Sequence, residues 1–163
     1  MARKVFFSFH YDVDSWRAAT VRSIGKIEGN QPASDNTWED VKKGGDSAIE
    51  KWINDQFSGR SCAVVLVGSD TAGRKWINYE IIKAWNSNKG VVGIRIHNLL
   101  NKDSQKSSFG DNPFSTLTIG DENMDKTVKL YNPAGTTSQD VYKTISENIA
   151  DWIEEAVKIR EDN

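Results

Sequence analysis

The chain has 163 residues, 37% of them hydrophobic and 27% charged, the profile of one globular domain large enough to bury a core rather than of a disordered chain. Net charge is −2 with both signs scattered, so no basic block offers phosphate neutralisation, and nucleic acid is excluded as an expected partner. No apolar run approaches the ~20 residues that span a bilayer; the start of the chain lacks a signal-peptide shape and the lone Cys62 excludes an internal disulfide, so the expectation is a cytoplasmic protein with no membrane partner.

In chain order, 4–10 reads as a buried strand, because Val5, Phe6, Phe7 and Phe9 make a nearly continuous β-favouring run. Asp14 or Ser15 is expected to cap a helix reaching about Ile27, with Trp16, Ala19, Val21 and Ile24 as its apolar stripe. Turn formers dominate 28–44, and a short second strand near Ile27 has no definite place. Asp46 or Ser47 caps the next helix, where Ile49, Trp52, Ile53 and Phe57 recur at helical spacing until Gly59 stops it. The segment 61–68 is apolar throughout, as a central parallel strand should be. A helix over 75–88 turns Ile77, Ile81, Ala84 and Trp85 inward, and 91–97 is another strand. A polar loop fills 98–120, of a length that is usually functional or mobile, and it is a candidate cover for a site. An edge strand at 127–131 and a final helix over 138–160, with Val141, Ile145, Ile149, Trp152, Ile153 and Ala156 at helical spacing, complete the pattern. Strands alternating with helices call for one doubly wound α/β domain over 1–163: a mostly parallel five-stranded sheet with helices on both faces.

Open sheets of this kind bind ligands beyond the carboxyl ends of their strands. Three segments reach that edge: Ser8-Phe9-His10-Tyr11-Asp12, then Gly68-Ser69-Asp70 leading toward Trp76 and Glu80, then His97-Asn98. Trp76 and Glu80 share a helix face by their i, i+4 spacing. Ordinary readings stand beside each. A Glu early in a helix complements the dipole, Trp76 suits a core boundary, His10 a strand end, and Asp12 and Asp14 suit turn and cap positions. Gly44-Gly45-Asp46-Ser47 lacks the Gly-Lys-Ser/Thr ending of a phosphate loop and follows no strand. Cys62, inside an apolar strand, reads as an inert thiol. His10, His97 and Cys62 lack metal-ligand spacing, so no metal is expected.

Certain of these residues resemble a family. Lys4-Val5-Phe6-Phe7-Ser8-Phe9-His10-Tyr11 is similar to the first strand of the bacterial TIR-like proteins, a branch that includes the NAD-consuming TIR subunit of the Thoeris anti-phage system. Ser69, followed by Arg74-Lys75-Trp76-Ile77-Asn78-Tyr79-Glu80-Ile81, resembles the TIR helix "Ser…Trp-Cys-x-x-Glu-Leu", with Ile77 in place of the Cys. Gly93-Ile94-Arg95-Ile96-His97-Asn98-Leu99 resembles the strand that follows. The resemblance implies Glu80 as the catalytic residue, with Trp76, Phe9 or Tyr11 stacking on a ring of the substrate and Ser8, His10, Asp12 and Ser69 as further contacts. It implies cleavage of the nicotinamide–ribose bond of NAD+, giving ADP-ribose or a cyclic ADP-ribose-type signal for an effector protein. NAD+ then enters as substrate, with no separate cofactor, and the active form is expected to self-associate. Two rival readings share the fold. One is a non-enzymatic TIR-like interaction module. The other is a receiver-like or flavodoxin-like domain, for which the chain lacks a Lys ending the 91–97 strand and a Ser/Thr-rich phosphate loop after strand one.

Overall fold

A computed structural model describes residues 3–29 and 40–163. Its main sheet has five parallel strands: β1 (Lys4–Ser8), β2 (Glu28–Gly29), β3 (Cys62–Val67), β4 (Gly90–Arg95) and β7 (Leu130–Tyr131), in the order β2-β1-β3-β4-β7. The chain reverses its winding between β1 and β3, which is where an open α/β sheet parts to form a crevice. A small hairpin, β5 (Thr118–Ile119) with β6 (Glu122–Asn123), lies outside the sheet.

Helices cover both faces. α1 (Tyr11–Arg22) and α4 (Ser138–Glu161) pack on one, where Val5, Phe7, Val64, Leu66 and Ile94 meet Ala18, Val21, Ile145 and Ile149. α2 (Gly45–Phe57) and α3 (Lys75–Asn86) pack on the other, against Phe6, Ala63, Val65 and Val67. Alternation of side chains across each strand feeds the two cores, and this is why β3 is apolar at every position. Burying an aliphatic side chain stabilises by about 1.5–3 kcal/mol, against at most about 1 kcal/mol for a surface ion pair. The fold therefore rests on residues such as Val64, Val65, Leu66 and Val67, each 0% exposed, and not on its many peripheral Lys–Asp pairs. The expected doubly wound architecture is present.

Several local expectations need correction. α1 starts at Tyr11, not at Asp14 or Ser15, and ends at Arg22. His10 holds the N-cap position in an extended conformation, and its carbonyl accepts from Val13 N–H (3.2 Å) and Asp14 N–H (2.8 Å). Freed from capping, Asp14 turns inward and pairs with Arg17 at 3.0 Å, both side chains almost wholly buried. The inward face of α1 is thus Asp14, Arg17, Ala18 and Val21, while Trp16 is 58% exposed. A stripe drawn from apolar residues alone misses a face that buries an ion pair. α2 starts at Gly45, one residue before Asp46. The short second strand exists: β2 pairs Glu28 with Lys4 and Gly29 with Val5. A Cβ on Gly29 would sit 2.4 Å from the Phe7 ring, so only glycine lets that ring lie across the strand. Of the rest of the expected irregular stretch, 30–39 lies outside the described residues, and 40–43 is helical rather than irregular. The expected edge strand is short, pairing Leu130 and Tyr131 with Gly93 and Ile94. α4 begins with a capping box, Thr137 and Asp140 bonding each other's backbone N–H.

Candidate functional site

β3 pairs along one side of β1, but on the other β2 pairs with only Lys4 and Val5, so the edge at Phe6, Phe7 and Ser8 meets no strand there among the described residues. A cavity of about 590 Å³ straddles that edge and reaches the carboxyl end of β1, within the size range of small-molecule sites. Its walls come from both faces of the sheet. Phe9, His10, Tyr11 and Asp12 enter from the end of β1 and the first turn of α1; Trp52 enters from α2, and Trp76 and Glu80 from α3.

The position of Glu80 follows from the helix period. Ile77, Ile81, Ala84 and Trp85 anchor one face of α3 in the core. Glu80 lies beside that face, one turn after Trp76, and so is carried inward to the foot of β1. It is 8% exposed, and its Oε2 has no hydrogen-bond partner. Burial pushes its pKa up to about 8, and the adjacent Ser8 hydroxyl acts in the opposite sense. Ser8 Oγ, although close enough for that influence, meets no hydrogen bond of regular geometry and is likewise unmatched. His10 is also buried, with Nδ1 unbonded and 4.0 Å from Asp70 Oδ2. A carboxyl group, a hydroxyl and an imidazole thus come together with spare bonding capacity at the end of one strand. Buried polar atoms are normally paired, and such an exception on a cavity wall points to a ligand.

Aromatic surface surrounds these groups. Phe9 and Tyr11 stack with ring centroids 6.1 Å apart. Trp76 meets Tyr79 edge-on at 5.6 Å, and Lys75 Nζ lies 5.0 Å over the Trp76 ring. Flat apolar walls beside one carboxyl suit a ligand with planar rings and a centre of positive charge.

The family model described as "Thoeris protein ThsB, TIR-like domain" matches residues 6–101, from β1 to the end of β4 and through every element that lines the cavity. The chain belongs to this family. A Bacillus cereus (strain MSX-D12) protein bearing the name "Putative cyclic ADP-D-ribose synthase ThsB1" is 37% identical over 140 residues, covering 83% of this chain and 73% of that one. In this TIR-like chain, Ile77, at the Cys position of the helix motif, is 3% exposed and packs into the core.

Of the residues singled out from the sequence, Phe9, His10, Tyr11, Asp12, Trp76 and Glu80 line the cavity together. Ser8 stands behind Glu80 rather than on the wall. Ser69 does not line the cavity: a Cβ on Gly110 would sit 2.2 Å from Gly68 O, so the 106–110 segment packs directly onto the Gly68–Ser69 backbone. The 98–120 loop contributes no residue to the wall and so does not cover this site. It is held instead over the end of β4, where Arg95 donates to Gly110 O and lies 3.6 Å from the Phe109 ring centroid. Asp70, on the segment expected at this edge, lines the cavity too, whereas sequence reading missed Arg22, Lys42, Trp52, Arg74 and Lys75 as lining residues. Trp52 carried a core signal from its helical spacing. Arg22, a cation in the last turn of α1, resembles an ordinary complement to the helix dipole.

No helix among the described residues is long and apolar enough to cross a membrane. No group of three or more His, Cys, Asp or Glu among them has metal-site geometry. Burial pushes the Cys62 thiol up to about 12, so it is not a nucleophile at neutral pH.

Proposed function

We propose that this TIR-like chain cleaves the nicotinamide–ribose bond of NAD+ and yields a cyclic ADP-ribose-type signal, or ADP-ribose when water intervenes, in bacterial anti-phage defence. The observation that carries the reading is the unmatched, buried Glu80 carboxyl on an aromatic-walled cavity, in a chain of the ThsB family. The name of the Bacillus cereus relative points to the same product class.

The chemistry follows from charge. The C–N bond breaks with its electron pair passing to nicotinamide, which leaves neutral, and the ribose carbon becomes an oxocarbenium-like cation. Glu80 is the group that faces this cation. In the empty cavity burial favours its protonated form. A bound pyridinium, and then the developing cation, favour the carboxylate, so the substrate ionises the residue that serves it. Stabilisation is strongest where charge develops, which lowers the barrier rather than merely strengthening binding. Phe9, Tyr11 and Trp76 hold the rings. Attack on the ribose carbon by a nitrogen of the folded-back adenine, with loss of a proton, closes the cyclic product; attack by water, again with loss of a proton, gives ADP-ribose. Walls that exclude water favour the former.

The NAD+ products of wild type and Glu80→Gln, compared by mass spectrometry, test this. Wild type is expected to release nicotinamide, and the variant to lose at least about a hundredfold in rate while keeping its fold. Turnover surviving in the folded variant would move the chemistry to another residue. Self-association in the active state belongs to the same reading: Val13 and Trp16, 42% and 58% exposed on α1, supply apolar surface for it. Light scattering with and without NAD+ checks that part. A cytoplasmic location, where NAD+ is at hand, and an effector protein that reads the product complete the proposal.

A further inference from the structure

The cavity has a second polar end, away from Glu80. Arg22 lines it from the last turn of α1, its guanidinium carbon 5.7 Å from the centroid of the Phe7 ring. Phe7 and Ser8 are neighbours on β1 whose side chains leave opposite faces of the sheet, Phe7 toward α1 and Ser8 toward Glu80 on α3. The cavity wraps around the β1 edge between them, with a carboxyl reaching in from one face and a guanidinium from the other.

Arg22 is unsatisfied where it stands. Its Nη1 is buried with no hydrogen-bond partner, and no carboxylate among the described residues pairs with it. Burial lowers its pKa, and the nearby Arg60 lowers it further. Arg60 is itself engaged, donating to Gln56 O (2.8 Å) and Val5 O (3.2 Å), so it adds positive potential without occupying Arg22. Lys42 also lines the cavity. The contrast with Arg17 is instructive: that arginine, more deeply buried than the half-buried Arg22, spends its donors on Asp14, Leu99 O and Gln105 O. An arginine left with buried donors and a like-charged neighbour is unfavourable alone and becomes favourable when an anion arrives.

We infer that Arg22 is the anion-binding residue of the cavity and takes the diphosphate of a dinucleotide whose cationic ribose end lies against Glu80. The inference rests on the NAD+ reading above and deepens it. The cavity is bipolar, and so is that substrate. Anchoring at the diphosphate fixes the register of the ribose relative to Glu80 without touching the bond that breaks. The chain therefore prefers a dinucleotide to a nicotinamide nucleoside of the same reactive bond.

The test compares wild type, Arg22→Gln and Arg22→Lys on two substrates, NAD+ and nicotinamide riboside, which lacks the diphosphate. Arg22→Gln is expected to raise KM for NAD+ about tenfold with kcat within about twofold, as befits loss of one charge-assisted contact made equally in ground and transition states. Its kcat/KM for nicotinamide riboside is expected to match wild type, and Arg22→Lys to recover part of the NAD+ affinity. Equal losses on both substrates, or an unchanged KM for NAD+, overturn the inference. Calorimetric titration with inorganic pyrophosphate and with ADP-ribose keeps the two readings apart, because it needs no turnover. Should wild type release no nicotinamide, the NAD+ reading fails, yet pyrophosphate binding that is lost in Arg22→Gln still establishes the anion subsite. Binding that is equal in both proteins, or absent from wild type, removes it.

Discussion

Two stretches of the carboxyl-end rim bury charge in opposite ways. At the β4 side the charges are spent. Arg17 bonds Asp14 and two loop carbonyls, and Arg95 bonds Gly110 O beneath the Phe109 ring. Asp14 Oδ2, His97 Nδ1 and Ser107 Oγ stay unmatched on that side, but none of the three lines the cavity. At the β1 side Glu80, His10 and Arg22 line one cavity, each with an unmatched polar atom. The difference separates a clamp from a site. Closed networks fix a loop in place, whereas open ones keep their interaction energy for a ligand. It also explains how the long polar loop is fixed in place: Arg17 fastens it to α1 through Leu99 O and Gln105 O.

The comparison can be broken first at the clamp. Arg17→Met should cost about 3–5 kcal/mol, because Asp14 stays buried without its cation and two carbonyls lose a donor. Urea denaturation measures it, and the folded fraction should keep its turnover per molecule. A loss under about 1 kcal/mol would mean the Asp14–Arg17 pair holds nothing together. On the open side the sign reverses. Glu80 has its folded pKa raised to about 8 from the usual 4.5, so the folded chain binds this proton more tightly than the unfolded one. Its contribution is full below about pH 4.5 and declines as pH rises toward 8. Glu80→Gln removes the buried ionisation, and the variant should exceed wild type in stability by on the order of 5 kcal/mol at pH 9 and by little at pH 4. Thermal melts across that range decide it; parallel curves would place Glu80 in water.

The clamp and the site were not equally legible in the sequence. β3 and β4 declare themselves, since a strand covered on both faces must be apolar at every residue. The site's core was legible too, because strand-end position and the i, i+4 spacing bring Phe9, His10, Tyr11, Asp12, Trp76 and Glu80 to one edge. Asp14 was not legible as a buried residue: Asp near a helix start reads as a cap, and only the position of Arg17 beneath the loop reverses that. Ser69 lies off the cavity wall for a related reason. Being at the right edge does not keep a residue open when a segment 41 positions away, around Gly110, packs onto it. Arg22 was invisible because a cation in the last turn of a helix reads as a complement to the helix dipole, and only the packing of α1 against β1 brings it to the cavity.

The open side can be sharpened by two smaller effects. The pH dependence of kcat/KM reports the free enzyme. With a required carboxylate of pKa about 8, the parameter for NAD+ should rise about tenfold per pH unit from mildly acidic pH and level off above 8. The inflection in kcat should lie lower, since the bound cation favours ionisation. A profile that falls above pH 8 would mean that the protonated form of Glu80 is the active one, and a flat profile that its ionisation plays no part.

Ser8→Ala probes the smallest term. The Ser8 hydroxyl favours the ionised form of Glu80 from behind the carboxyl, against the larger effect of burial. Its removal should therefore move the kcat/KM inflection upward by less than about one pH unit and leave the alkaline plateau nearly unchanged, because Ser8 does not touch the cavity wall. A merely structural serine would alter the melting temperature and leave the inflection in place. A downward shift would mean that the hydroxyl supports the protonated acid, and the roles assigned to the two groups would have to be exchanged. An upward shift of the stated size makes Ser8 a positioning residue, one that sets how readily the empty site surrenders its proton to an arriving cation.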